Sequence, residues 1–234
     1  MFFDYYYLVL VVPTIILSLI AQIMVKSTFS KYSKVPSSRR ITGTNAASIL
    51  LKASNINDVK IEAVRGSLTD HYSPSHKKLA LSEPVHGSTS ISAIGVAAHE
   101  AGHAIQHATH WGPLVLRSTL VPVANIGSRF GPIIAMIGLF LTFDAYSDIG
   151  FMLINIGILL FAGSVLFYII TLPVEFNASN RAIALLRSNN ILDENELKGA
   201  KKVLNAAAMT YVASALTAIA SLLRLILISR SRRR

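Results

Sequence analysis

Two histidines four residues apart, with a glutamate directly after the first, stand in Ala98-His99-Glu100-Ala101-Gly102-His103, an H-E-x-x-H pattern. On a helix, residues four apart lie on one face, one turn above the other. His99 and His103 can therefore share one zinc ion. Glu100, beside the first ligand, is placed to take a proton from a water that the metal acidifies, which makes a nucleophile. The chain has no cysteine, which excludes thiolate nucleophiles, disulfides and cysteine-based metal sites. A bare H-E-x-x-H also occurs on ordinary amphipathic helices with two surface histidines. The context favours the metal site. Gly95, Ala97, Ala98, Ala101, Gly102 and Ala104 give this stretch small side chains that let other backbone come close to the metal, which an exposed helix does not need.

A catalytic zinc takes three protein ligands and keeps one open position. A third histidine six residues after His103, with a glycine three after it, would be the metzincin solution, but Gln106 and Thr109 hold those places. A glutamate on a second helix is the other solution, and Glu175 suits it. The metal helix leads into an apolar stretch, and the next apolar stretch returns to the same membrane face near Pro173. If the two pack as an antiparallel hairpin, Glu175 comes back to the metal helix. Pro173 suits a helix first turn, with Thr171 as a nearby cap, so a second metal helix is expected over Val174 to Ser188. A carboxylate that merely favours a helix N-terminus is the plainer account of Glu175.

Several elements must position these residues. Hydrophobic residues make up 52% of the 234, yet the net charge is +10, and the mean hydropathy is +0.51. That combination fits a membrane protein with basic faces outside the bilayer. The charges cluster beside apolar runs and no nucleic-acid recognition motif is present, so nucleic acid is not an expected partner. Four apolar stretches stand out: Phe2 to Met24, with Tyr5, Tyr6 and Tyr7 as an interfacial belt; a second within Leu114 to Phe143; Ile149 to Leu172; and a fourth within Ala206 to Ile228, with Arg224 inside it. The first reads as a retained anchor. The second carries Arg117, Asn125, Ser128 and Arg129, so part of it is expected to face a bundle interior or a watery cavity. An arginine there is either functional or snorkels to the headgroups.

Between the first two stretches, a helix is expected from Thr44, as its N-cap, to Ala53. Strands are expected over Val59 to Val64, Leu68 to Tyr72 and Leu79 to Leu81, then the metal helix from Ser90 to His110. Leu79 to Ser82 could offer a free strand edge to an extended peptide. Asp70, His71 and Tyr72 either line a substrate edge or lead into a turn. Arg181 is either an oxyanion-stabilising cation or an exposed helix arginine. His107 and His110 read as solvated or interfacial. The Lys/Arg-rich segments after the first and third stretches should be cytoplasmic, and the turn holding Asp144 and Asp148 should be outside. The basic tail with Arg230, Arg232, Arg233 and Arg234 lies outside if the fourth stretch spans, and inside if that stretch is re-entrant.

Ile94 to Gln106, Leu68-Thr69-Asp70-His71-Tyr72 and Leu172-Pro173-Val174-Glu175-Phe176-Asn177-Ala178-Ser179 resemble the YugP-type membrane zinc metallopeptidases, the zinc peptidase 2 family. The resemblance covers nearly the whole chain. That family is similar in turn to the HtpX and CAAX prenyl proteases, gluzincins with H-E-x-x-H plus a later glutamate. The resemblance implies that His99, His103 and Glu175 bind Zn2+ and that Glu100 is the catalytic base. In HtpX-like relatives an aspartate usually stands four residues after the ligand glutamate. Here Ser179 holds that place, so a hydroxyl takes the role or the role is lost.

The expected fold is mainly α, a polytopic α-helical membrane protein with a small α+β zincin-like cytoplasmic segment. Its parts are a transmembrane helix over 1–25, the zincin-like segment over 26–112, a transmembrane hairpin over 113–172, cytoplasmic helices with the third ligand over 173–205, and an apolar helix with basic tail over 206–234. The expected function is hydrolysis of membrane proteins or peptides at the cytoplasmic face of the cell membrane. The alternative is a catalytically idle membrane scaffold that retains a zinc site. A site-2-type intramembrane protease is excluded by the lack of any Asp-Gly pair.

Overall fold

The computed structural model describes residues 4–142 and 147–232. Phe2, Phe143, Asp144, Arg233 and Arg234 lie outside the described residues. The protein is mainly α. In order it holds α1 (Val12–Ser33), preceded by a π-helical turn at Tyr7–Val11, then α2 (Gly43–Ala53), β1 (Lys60–Val64), β2 (His71–Ser73), β3 (Lys78–Ser82), α3 (Glu83–His86), α4 (Ile91–Ala108), α5 (Gly112–Leu141), α6 (Ser147–Ser188) and α7 (Glu194–Arg232). Tyr7–Ser33, Gly112–Leu141, Asp148–Ser188 and Glu194–Ser231 are each long and apolar enough to cross a membrane.

The chain divides into two compact units. The first contains residues 1–20, 116–172 and 211–234. Within it α5 and α6 run antiparallel and touch through glycines. A Cβ on Gly138 would lie 2.6 Å from the Gly150 carbonyl oxygen, and one on Gly157 would lie 2.5 Å from that of Gly131. Only residues without side chains let apolar helices approach so closely. The hairpin is therefore written in its glycine spacing. Asn125, Ser128 and Arg129 lie exposed on α5, while Ala124, Gly127 and Ala135 are buried. Arg224 in α7 is paired with Asp4 at 2.6 Å and lies over the Tyr7 ring.

The second unit contains residues 21–115 and 173–210. Its core joins Leu50, Leu79, Leu81, Val85, Ile94, Ala98, Leu186 and Ile191. The N-cap of α2 lies two residues before the expected one. Thr42 is the N-cap and accepts from the Asn45 amide, whereas the Thr44 hydroxyl donates to the His86 carbonyl. The sheet has the order β1-β3-β2, with β3 parallel to β1 and antiparallel to β2. β3 is thus the central strand, so Leu79 to Ser82 offers no free edge. The exposed edges of this sheet belong to β1 and β2. The expected strand over Leu68 to Tyr72 shrinks to His71–Ser73, because Leu68 has φ of 59°, a left-handed backbone that ends extended pairing.

Ser90 caps α4, its hydroxyl accepting from the Ala93 amide at 3.2 Å. The expected break at Pro173 does not occur. α6 continues through it to Ser188, and Thr171 donates to the Phe167 carbonyl instead of capping a new helix. Proline removes one helical hydrogen bond. Beyond the proline, Val174, Ala178 and Ala182 are fully buried and form the packed face of α6.

Candidate metal centre

α4 crosses α6 with almost no side chain between them. A Cβ on Gly102 would lie 2.7 Å from the Ala178 carbonyl oxygen. Gly102 stands between His99 and Glu100 on one side and His103 on the other, so this close approach brings Glu175 to both imidazoles. His99 Nε2 lies 3.1 Å from His103 Nε2 and 3.3 Å from Glu175 Oε2. His103 Nε2 lies 3.5 Å from the same oxygen. Glu175 is only 2% exposed, and His99 and His103 are nearly covered. Among the described residues this is the one group of three or more His, Asp or Glu side chains able to hold a metal ion.

The donor set fits zinc. Tetrahedral zinc with arms of about 2.0–2.1 Å has ligand-to-ligand separations of about 3.3 Å. The three separations here, 3.1, 3.3 and 3.5 Å, bracket that value. The family of proteins described as "Putative neutral zinc metallopeptidase" matches over residues 7–230. The chain belongs to this family. It is 46% identical over 222 residues to the "Putative membrane protease YugP" of Bacillus subtilis (strain 168), covering 95% of this chain and 96% of that protein. No solved structure matches. With its four long apolar helices, this zinc metallopeptidase family member is a membrane protein.

Around the three donor atoms, each imidazole makes a second contact through Nδ1. Ser179 Oγ lies 3.1 Å from His99 Nδ1, one helical turn beyond Glu175. Gln106 Oε1 lies 3.0 Å from His103 Nδ1. Gln106 also donates to the Val174 carbonyl at 2.9 Å and to Asn177 Oδ1 at 3.0 Å. Burial opposes a charge on His103, and the neighbouring Glu175 and Glu100 carboxylates more than offset it, so its pKa lies above the ordinary histidine value. The Glu100 side chain is buried, and its charge acts on the neighbouring His103.

Other sequence candidates lie apart from the three donor atoms. Asp70 accepts from both the backbone amide and the hydroxyl of Ser82, at 2.7 and 2.8 Å, which ties down the end of β3. The Arg181 Nε donates to Asn177 Oδ1 at 2.7 Å. The Tyr72 hydroxyl meets His107 Nδ1 at 2.9 Å, one helical turn past His103. Tyr72, His107, His110, Asp58 and Lys77 line a cavity of about 310 Å³, and burial, followed by the Asp58 charge, raises the Tyr72 pKa. Other acids in this unit have partners of their own: Glu62 pairs with Lys78, Glu194 with Arg187, and Asp193 and Glu196 cap α7 reciprocally. Gln106 and Asn177 were not singled out. The signal for Gln106 is its place three residues after His103, on the same helical face.

Proposed function

We propose that this protein is a membrane-bound zinc endopeptidase, with His99, His103 and Glu175 as metal ligands and Glu100 as the general base. The observation that carries the reading is the convergence of two imidazole nitrogens and one buried carboxylate oxygen at 3.1 to 3.5 Å, with Glu100 next to the first of them. Zinc held there supplies a Lewis acid that lowers the pKa of water and polarises a peptide carbonyl. The chain's own residues do the rest. Glu100 takes a proton from the attacking water and passes it to the leaving nitrogen as the carbon–nitrogen bond breaks. Ser179 and Gln106 hold the two imidazole rings in their planes. Asn177 and Arg181 support Gln106 from behind, which makes Arg181 a buttress in this reading.

The substrate class in this reading is a membrane protein or membrane-associated peptide cleaved at the cytoplasmic face. Its support is the chain itself: apolar helices long enough to cross a bilayer several times, and lysine and arginine concentrated in the segments that also hold the ligands. Glu100→Gln keeps the shape of the side chain and cannot accept the proton. It should retain about one zinc per chain and lose at least ~100-fold in the rate of casein cleavage. Parental cleavage by this variant would remove Glu100 from the base role.

A further inference from the structure

We propose that Gln106 is the positioning residue of the metal centre: its carbonyl holds the His103 proton on Nδ1, leaving Nε2 free for the metal, while its amide ties α4 to the segment carrying Glu175. The inference rests on the zinc reading above and goes beyond holding the ring plane: Gln106 also sets the tautomer of His103 and ties α4 to the backbone beside Glu175. Gln106 is fully buried on α4, so water cannot substitute for any of its partners. Its Nε2 faces two acceptors. One is the backbone carbonyl of Val174, at 2.9 Å, which can only accept. The other is Asn177 Oδ1, at 3.0 Å, and the Arg181 Nε, a pure donor at 2.7 Å, fixes that atom as oxygen. Turning the Gln106 amide over would set its oxygen against both. The amide therefore has one orientation.

That orientation decides the tautomer of His103. The Gln106 oxygen lies 3.0 Å from Nδ1 and can only accept, so Nδ1 carries a proton. In a neutral imidazole the other nitrogen then bears the lone pair, and it is the nitrogen that faces His99 and Glu175. The same amide bonds the carbonyl immediately before Glu175, so one side chain sets the ring of one ligand and the backbone beside another. His99 is different. Its Nδ1 meets the Ser179 hydroxyl, which can donate or accept and does not choose a tautomer. The centre thus has one pre-set imidazole and one adaptable imidazole.

Zinc dissociation constants of the full-length protein in detergent, measured by competition with a chromophoric chelator, test this together with 15N spectra of the histidine rings in the zinc-free protein at alkaline pH. Gln106→Leu should weaken zinc binding by about 10- to 100-fold, the usual loss when a partner that orients a ligand is removed. Gln106→Glu keeps an acceptor facing Nδ1 but sets a second oxygen against the Val174 carbonyl and Asn177 Oδ1, so it should bind zinc more tightly than Gln106→Leu and less tightly than the parent. In the parent, His103 should carry its proton on Nδ1, and in Gln106→Leu that proton should shift towards Nε2. Equal affinities in parent and Gln106→Leu, or an unprotonated Nδ1 in the parent, would overturn the proposal. A parent that binds no zinc but keeps the Nδ1 proton would instead remove the zinc reading and uphold the tautomer assignment. If Gln106→Leu does not fold, the parent spectrum and Gln106→Glu decide the matter.

Discussion

Replacing Gly102 by alanine puts a methyl carbon 2.7 Å from the Ala178 carbonyl oxygen and 3.3 Å from the Ala178 Cα. Both neighbours are backbone, so neither can swing aside. Relief to an ordinary contact of roughly 3.5 Å needs the two helices to part by about 0.8 Å. The separations of 3.3 and 3.5 Å between Glu175 and the two imidazoles would then grow towards ~4 Å, beyond the ~3.3 Å edge of a tetrahedral zinc site. Two stability effects oppose each other. Alanine is the better helix former by up to ~1 kcal/mol, and overpacking costs ~1–3 kcal/mol. The steric effect should win, so Gly102→Ala should be less stable than the parent and should bind zinc about 10- to 100-fold more weakly, as when ligand orientation is lost. Thermal unfolding with chelator present and zinc competition assays measure the two effects separately. A Gly102→Ala protein that is more stable than the parent and binds zinc equally well would show that α4 and α6 do not meet backbone to backbone, and the account of how Glu175 reaches the histidines would fail.

Two further outcomes follow from the charge arrangement. With the folded pKa of His103 raised, the zinc-free protein gains stability from this group that is fully present below the unfolded value of about 6.5 and is lost as pH rises through the folded value. Zinc affinity should run the opposite way, rising over that interval as Nε2 loses its proton; unfolding curves and zinc titrations across a pH series check both, and trends of the same sign would contradict the assignment. For orientation, the absence of native cysteine makes single-cysteine labelling clean: a cysteine at Asp148 should react with an impermeant thiol reagent on intact cells, and one at Lys198 should not. The reverse pattern would place the metal centre outside.

The features of the site readable in sequence are those with a fixed local geometry. H-E-x-x-H puts His99 and His103 one turn apart wherever a helix forms, and Ser90 marks where that helix starts. Glu175 is legible through topology: if the two apolar stretches after the metal helix pack as an antiparallel hairpin, the residues just past Pro173 come back to that helix. The glycines that close the hairpin, Gly138 against Gly150 and Gly131 against Gly157, are visible only once the register of α5 on α6 is known. The possibility that β3 offers a free edge does not hold, because β3 lies between β1 and β2. Its unbroken run Leu79-Ala80-Leu81 is the mark of a strand covered on both faces, and all three are buried. The cap at Thr42 and not Thr44 reflects two threonines flanking Gly43, between which boundary signals cannot choose. Pro173 suits a helix start in sequence, yet α6 runs through it with Val174, Ala178 and Ala182 fully buried beyond it, and that burial outweighs one missing hydrogen bond. Gln106 and Asn177 form a network across two helices 71 residues apart in sequence, and no local pattern announces such a pair.

Zinc content after equal dialysis of the parent, His99→Ala and Glu175→Ala proteins tests the central claim most directly. The parent should hold about one zinc per chain, because one site accounts for all three donor atoms. Both variants should fall well below it, since each removes one of the three atoms that meet at 3.1 to 3.5 Å. A Glu175→Ala protein that keeps zinc as firmly as the parent, while His99→Ala loses it, would place the third ligand elsewhere and contradict the account.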